Sequence, residues 1–411
     1  MSRLLRLMLL FLLLAGSGIA ASPAQAAPPP TGCQTGVFAD TGALWMICIP
    51  KLWNGSLVVY AHGYIAYNEP LDFQHLELPD GTYLPDVITS LGFAFTTTSY
   101  RANGLVALEA IEDVAQLTQF FPTYAGRAPR YTYLSGVSEG GLVTTLSIER
   151  HPELYSGGLA TCGPIGDFRR QTDYMADYRV LFDYFFPGVL PGSPISIPQD
   201  LIDNWDAVYE PAVEAAVAGD TAAAKQLIRT AKAAIDPADP STLVATSTDV
   251  LWYNVYATND AITKLGGNPY GNRGKWYWGS NNDVKLNRSV QRFTADQTAL
   301  DALAHYQTTG SLTKPLVTLH TTGDDVVPYW HEALYQQKAG AYDPGQLTQI
   351  PVFSYGHCNF TTGQALAAFG ILVLKVTGSQ PTGLPIYFDP AQIQADAARA
   401  QAEFGSVGVR E

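Results

Sequence analysis

The sequence predicts an α/β protein in which a mostly parallel sheet, flanked by helices, is interrupted by a mainly helical insertion. Three observations carry that expectation. Runs such as "LVVYA", starting at Leu57, are apolar throughout, as strands buried on both faces are. Strand-like runs alternate with segments whose apolar residues recur at helical spacing, the signature of βαβ units. The rhythm stops from about Asp167 to Thr309, where helical patterns mix with Pro/Gly loops and aromatics, and strand signals resume at Lys314.

In chain order, "TGVFADTGALWMICIP" reads as two short strands around Asp40-Thr41-Gly42, an edge hairpin. "GSLVVYAHGY" and "LGFAFTTTSYR" are buried strands, the first ending in a glycine turn. Ala107, Ala110, Ile111, Val114, Leu117 and Phe120-Phe121 then mark a helix between about Leu105 and Phe121. "YTYLSG" is a strand, "GGLVTTLSIERHPE" fits helix or strand, and "YSGGLATCG" is a further short strand. Beyond the insertion, "KPLVTLHTTG" and "LTQIPVFSYGH" are strands, and helices follow at about Gly363 to Val376 and Ala391 to Glu403. The expected division is a leader over 1–26, a core over 27–165, the insertion over 166–310 and the rest of the core over 311–411.

The leader is read from Arg3 and Arg6, an apolar run from about Leu7 to Leu14, and Ala24-Gln25-Ala26 before "APPP". A basic segment, a short apolar one and an A-x-A site describe a secretory signal peptide, because the run falls short of the ~20 residues a membrane span needs. An uncleaved anchor is the alternative. No second segment is apolar and long enough to cross a bilayer, so the expected product is secreted or periplasmic, without stable membrane insertion.

The formal charge of the 411 residues is −13, and loss of Arg3 and Arg6 leaves about −15. That balance, without a basic patch, argues against nucleic acid or an anionic membrane as partner. Four cysteines, an even number in an exported chain, fit two disulfides with three possible pairings. Cys33 and Cys48 flank the hairpin and are paired, which leaves Cys162 and Cys358 for each other; two unpaired buried thiols are the alternative. No metal-ligand spacing occurs, and no cofactor is expected.

Gly136-Val137-Ser138-Glu139-Gly140 matches G-x-S-x-G, the nucleophile elbow, a sharp strand-to-helix turn that needs small residues two positions to either side of the serine. An ordinary turn in a Gly-rich chain is the plainer reading. An elbow requires an acid and then a histidine downstream. Asp324 and Asp325 stand at the carboxyl end of "LVTLH", and His357 stands at the end of the next strand. A neutral imidazole there takes the serine proton while a carboxylate holds its tautomer. Asp167 is a rival acid. His75, His151, His305 and His331 lie in loop or helix contexts and read as surface or structural, and His320 reads as a core residue with a satisfied ring. Oxyanion donors are expected from the Glu139 amide and from Gly63 or Tyr64 in "AHGY", which otherwise is a plain strand-ending turn.

"AHGY", "GVSEGG", "TGDDVVP" and "GHCNFT", in this order, resemble the α/β-hydrolase superfamily over about residues 35 to 165 and 312 to 378. The resemblance implies the α/β-hydrolase fold and a triad of Ser138, Asp324 and His357. Asp324 is preferred because the family's acid lies four residues before the proline, although the glycine spacing here is irregular. The His357-Cys358 pair is also similar to the tannase and feruloyl esterase group, in which a disulfide ties the nucleophile region to the histidine loop. Val137 precedes the serine, so any such tie would run through Cys162. The insertion sits where family members carry a helical cap. Its aromatics (Tyr178, Phe182, Tyr184 to Phe186, Trp252-Tyr253, Trp276 to Trp278) either line a pocket beside the serine or form the cap's own core.

The expected function is a secreted serine esterase acting on a small-molecule or polymeric ester. A peptidase of the prolyl oligopeptidase or aminopeptidase type is the alternative, kept open by the acid Glu139 beside the nucleophile. A noncatalytic binding protein that has kept the fold is a third reading.

Overall fold

A computed structural model describes residues 31–379 and 389–405. The proposed leader, including Ala24 to Ala26, lies outside the described residues. In chain order the elements are β1 (Gly32–Val37), β2 (Leu44–Ile49), β3 (Ser56–Ala61), α1 (Leu84–Ser90), β4 (Ala94–Thr98), α2 (Ala107–Ala125), β5 (Tyr131–Val137), α3 (Glu139–Arg150) and β6 (Gly157–Thr161). Then come α4 (Phe168–Phe185), α5 (Gln199–Asp203), α6 (Glu210–Gly219), α7 (Thr221–Ala231), α8 (Thr242–Leu265), α9 (Asp283–Ser289) and α10 (Gln297–Leu303). β7 (Leu316–Gly323), α11 (Trp330–Gly340), β8 (Leu347–Tyr355), α12 (Thr362–Thr377) and α13 (Pro390–Phe404) complete the order.

The strands form one sheet of eight in the order β1-β2-β4-β3-β5-β6-β7-β8. β1 runs antiparallel to β2 and β2 antiparallel to β4, whereas every later pair is parallel. The order reverses around β3, and the chain turns sharply into a helix after the central β5. This is the α/β-hydrolase fold.

Every residue of β3 is buried, because both of its faces are covered. Leu57 and Val59 face a layer that includes Val114 and Leu117 of α2 and Leu142 and Leu146 of α3. Their neighbours Val58 and Tyr60 face the opposite layer, with Ile88 of α1 and Phe369 and Leu372 of α12, as the period of two requires. "GGLVTTLSIER" is helical: Leu142, Val143 and Leu146 pack at helical spacing, although the β-branched Val143, Thr144 and Thr145 favour a strand locally. α1 is too short for a period to show, and only Pro85 in its first turn marks it. α12 starts one residue before the expected position because Thr361 and Gln364 form a reciprocal capping box.

Helices α4 to α9 carry a hydrophobic cluster of their own, which includes Tyr178, Phe182, Leu227, Val250 and Tyr277, whereas Ala299 and Leu303 of α10 join the cluster of the core. Their contacts with the core concentrate at the carboxyl ends of the strands. The Tyr174 hydroxyl donates to the Asp325 carbonyl (2.6 Å), Gln171 Nε2 to the Val326 carbonyl (2.8 Å) and the Leu105 amide to Asp260 (2.7 Å). No helix of the described residues is long and apolar enough to cross a membrane.

Candidate active site

The turn from β5 into α3 holds Ser138 at φ 56° and ψ −121°, a conformation costing of the order of 1–3 kcal/mol for a residue with a Cβ. Its neighbours show what sustains it. A Cβ at Gly136 would strike the Gly140 carbonyl, and one at Gly140 would strike the Ala61 carbonyl at the end of β3. At Gly141 a Cβ would lie 2.9 Å from the Thr161 carbonyl of β6. The three glycines thus let the elbow press against the two strands that flank β5. The Ser138 amide donates to that same Thr161 carbonyl (2.9 Å).

The serine hydroxyl donates to His357 Nε2 (2.9 Å), and His357 Nδ1 donates to Asp324 Oδ2 (2.8 Å) and Oδ1 (3.0 Å). Asp324 follows β7 and His357 follows β8, so a turn after one strand end meets the loop after the next. The amides of Val326 and Val327 donate to Asp324 Oδ1 (3.0 and 2.7 Å) and fix the carboxylate. Burial alone would push the Asp324 carboxyl up. The charges and hydrogen bonds of His357 and His320 outweigh it and hold the group well below the usual carboxylate range.

The other candidate acids point elsewhere. The Tyr355 hydroxyl donates to Asp325 (3.1 Å), whose carboxyl is raised by burial and by the charge of Asp324. Asp167 caps α4, accepting from the Arg170 amide (3.2 Å) and from Gln307 Nε2 (2.9 Å).

Glu139 opens α3, where helix geometry leaves its amide without an intrahelical acceptor. Gly63 lies against the serine: a Cβ on it would stand 3.2 Å from Ser138 Cβ. The strand end before it is fixed by Tyr100, which stacks on His62 at 3.9 Å and donates to the His62 carbonyl (3.0 Å). The Glu139 side chain turns inward and accepts from the Val106 amide (3.3 Å), and burial raises its carboxyl to about 8.

Both expected disulfides are present. Cys33 and Cys48 face each other across the β1–β2 pair. Cys162, directly after β6, is bonded to Cys358, the residue after His357, with Cα atoms 5.4 Å apart. The histidine loop is thereby tied to the strand beside the elbow. The one cluster of possible metal ligands among the described residues is Cys162, His357 and Cys358, and its two sulfurs are consumed by this bond.

Two histidines do more than their sequence readings imply. His75 is exposed, as a surface reading expects, yet it also lines the same cavity as Ser138 and His357, and partial desolvation followed by the proximity of His357 lowers its pKa. The loop carrying it folds back from the strand ends, and no periodicity in the sequence foretells that path. His320 is the fully buried, satisfied core residue expected, but its partners are acceptors. Nε2 is 2.9 Å from the Val327 carbonyl and 3.5 Å from Asp324 Oδ2, and Nδ1 is 3.1 Å from Glu332. Burial would lower its pKa, and Asp324 and Glu332 together overcome that and raise it to about 10.

Two cavities meet at Ser138. One of about 1150 Å³ is lined by His357, Cys358, Gly63, His75 and Phe73 among others. The other, of about 140 Å³, lies between the core and helices α4 and α8 and is lined by Glu139, Leu105, Met175 and Val327 among others. Of the insertion's aromatics, Tyr253 lines both cavities and Tyr178 and Phe182 belong to the insertion's own core. Trp276 and Trp278 do neither and are exposed.

No family model and no curated protein matches the sequence. Among solved structures, an esterase from Aspergillus oryzae aligns over 85% of this chain and 80% of its own, at 14% identity and a TM-score of 0.49. Feruloyl esterase B from Aspergillus oryzae aligns over 84% and 81%, at 13% identity and a TM-score of 0.45. Acylaminoacyl peptidase from Pyrococcus horikoshii aligns over 88% of this chain but 43% of its own, at 11% identity and a TM-score of 0.45. The chain thus spans less than half the length of that peptidase.

Proposed function

We propose that the protein is a secreted serine hydrolase that cleaves carboxylic esters through an acyl-enzyme intermediate. The observation that carries this reading is the unbroken hydrogen-bonded line from Ser138 through His357 to Asp324, anchored at a strained turn. Ser138 Oγ attacks the ester carbonyl as His357 Nε2 takes its proton. The buried Asp324 holds Nδ1–H and offsets the imidazolium charge. The Glu139 amide and that of Gly63 or Tyr64 receive the oxyanion, each such donor being worth about 10²–10³ in rate. His357 then gives the proton to the departing alcohol, and water, activated by the same imidazole, releases the acid.

The aminopeptidase alternative needs an ionised group to hold a substrate ammonium. Glu139, beside the nucleophile in sequence, turns inward to the Val106 amide and burial raises its carboxyl, which disfavours it as an ammonium anchor and leaves Asp72 and Glu77 of the large cavity as the acids that reading would need. Export is supported by the leader-like N-terminus and by the two disulfides, which belong to oxidising compartments. The test is hydrolysis of p-nitrophenyl esters by the protein and by Ser138→Ala. The variant is expected to lose about 10⁶ in kcat with an unchanged circular dichroism spectrum. A folded Ser138→Ala protein that kept its rate would overturn the assignment.

A further inference from the structure

The two cavities at Ser138 are not equivalent with respect to the chemistry. Of the expected oxyanion donors, Glu139 lines only the small one, Gly63 only the large one and Tyr64 both, whereas His357 lines only the large one, so His357 is what tells them apart. A general acid must lie within hydrogen-bond reach of the oxygen it protonates. In ester cleavage that oxygen belongs to the leaving alcohol, so the alcohol departs on the His357 side. The acyl group, still bonded to the serine, extends the other way.

We propose that the small cavity is the acyl-binding site and takes an uncharged, apolar acyl group of about four to six carbons or a single ring, while the large cavity takes a bulky alcohol. This rests on the ester reading and adds the substrate class to it. The size follows from the volume: a dry cavity of about 150 Å³ accommodates benzene, and this one measures about 140 Å³. Leu105, Phe168, Met175, Ala261, Val326 and Val327 give it apolar walls. No Lys, Arg or His lines it, so an anionic acyl group would find no counter-charge. The large cavity is about eight times roomier and does hold ionisable groups, namely His75, Asp72 and Glu77.

One helix sets the length limit. Tyr253, Ala257, Ala261 and Leu265 of α8 recur every fourth residue along the small cavity, so they form a single stripe on one face. Its middle two members are alanines, both only partly buried, and the space beside them is what an acyl chain would fill. A leucine at either position puts three more carbons into that space.

The test uses the purified full chain and p-nitrophenyl esters from acetyl to decanoyl, with benzoyl, so that the alcohol stays constant. In the unsubstituted protein, kcat/KM is expected to peak between butyryl and hexanoyl, with benzoyl accepted, and to fall at least about tenfold at decanoyl. Ala257→Leu, and independently Ala261→Leu, are expected to lower the hexanoyl-to-acetyl ratio of kcat/KM by about tenfold or more. Two variants are used so that misfolding of one, read by circular dichroism, leaves the other to decide. A second series, acetyl esters of alcohols of increasing size, should keep its profile in both. A rate that rises through decanoyl, an unmoved hexanoyl-to-acetyl ratio in a folded variant, or a variant that alters the alcohol series instead would overturn the acyl assignment while leaving the esterase reading intact. No turnover of any ester would overturn both.

Discussion

His320 is the residue whose replacement tests the electrostatics of the site most sharply. A carbonyl and a carboxylate can only accept hydrogen bonds, and these are what its two nitrogens face: Val327 O at 2.9 Å and Glu332 at 3.1 Å. The Thr318 hydroxyl (2.6 Å) and Gln349 Nε2 (2.5 Å) donate to the other oxygen of Glu332 and hold it in place. Asp324 and Glu332 overcome burial and raise the His320 pKa, which places protons on both nitrogens and a buried cation between the two acids. Removing one partner of such a pair costs about 3–5 kcal/mol, because the remaining charges stay buried. The pKa gives the same order: a rise from the ordinary 6.5 to about 10 corresponds to about 4–5 kcal/mol at about 1.4 kcal/mol per unit. His320→Gln is expected to lower the urea-unfolding free energy at pH 7 by that amount, and adding Glu332→Gln should restore at least about half of it. The folded pKa lies above the unfolded one, so the contribution is complete below about pH 6.5 and is lost as the pH rises through about 10. The variant should lack that alkaline decline. A loss under about 1 kcal/mol, or an unchanged alkaline decline, would refute a charged His320.

The two adjacent acids should separate cleanly. Asp324→Asn is expected to cut kcat by about 10⁴ through loss of the required tautomer, while Asp325→Asn, which faces Tyr355 rather than His357, should stay within about tenfold. Steady-state rates on one ester decide it, and equal losses would contradict the geometry. Breaking the Cys162–Cys358 bond with dithiothreitol should lower turnover, since it frees the loop holding His357. The double serine variant at Cys33 and Cys48, on the sheet edge away from the site, should lose stability with a much smaller effect on turnover. Thiol counting beside the rate assay checks both, and activity that tracks the wrong bond would count against the tie.

Much of this was legible in the sequence because its cause is local. Most strands announce themselves by apolar or alternating runs, the exposed β1 showing only through its hairpin turn, and the glycines around Ser138 are small for reasons confined to the strands beside them. The meeting of Asp324 and His357 could be anticipated because they follow the carboxyl ends of two neighbouring parallel strands. What stayed hidden depends on distant partners. The helical state of α3 is decided by packing against β3 and β6, whereas its β-branched residues read equally as strand. His320 looked like an ordinary core histidine, since its charge comes from Glu332, twelve residues on, and from the turn that brings Asp324 back to it. His75 reaches the cavity through a loop with no periodicity, and the stripe on α8 acquires meaning only once that helix covers Ser138.

The central claim is that Ser138 is an activated nucleophile, and fluorophosphonate labelling of the native protein with peptide mass mapping tests it most directly. The account predicts one adduct per chain, on Ser138, formed in step with loss of ester hydrolysis and absent in His357→Ala. Full ester turnover in a protein that takes no label on Ser138, or labels elsewhere, would contradict it.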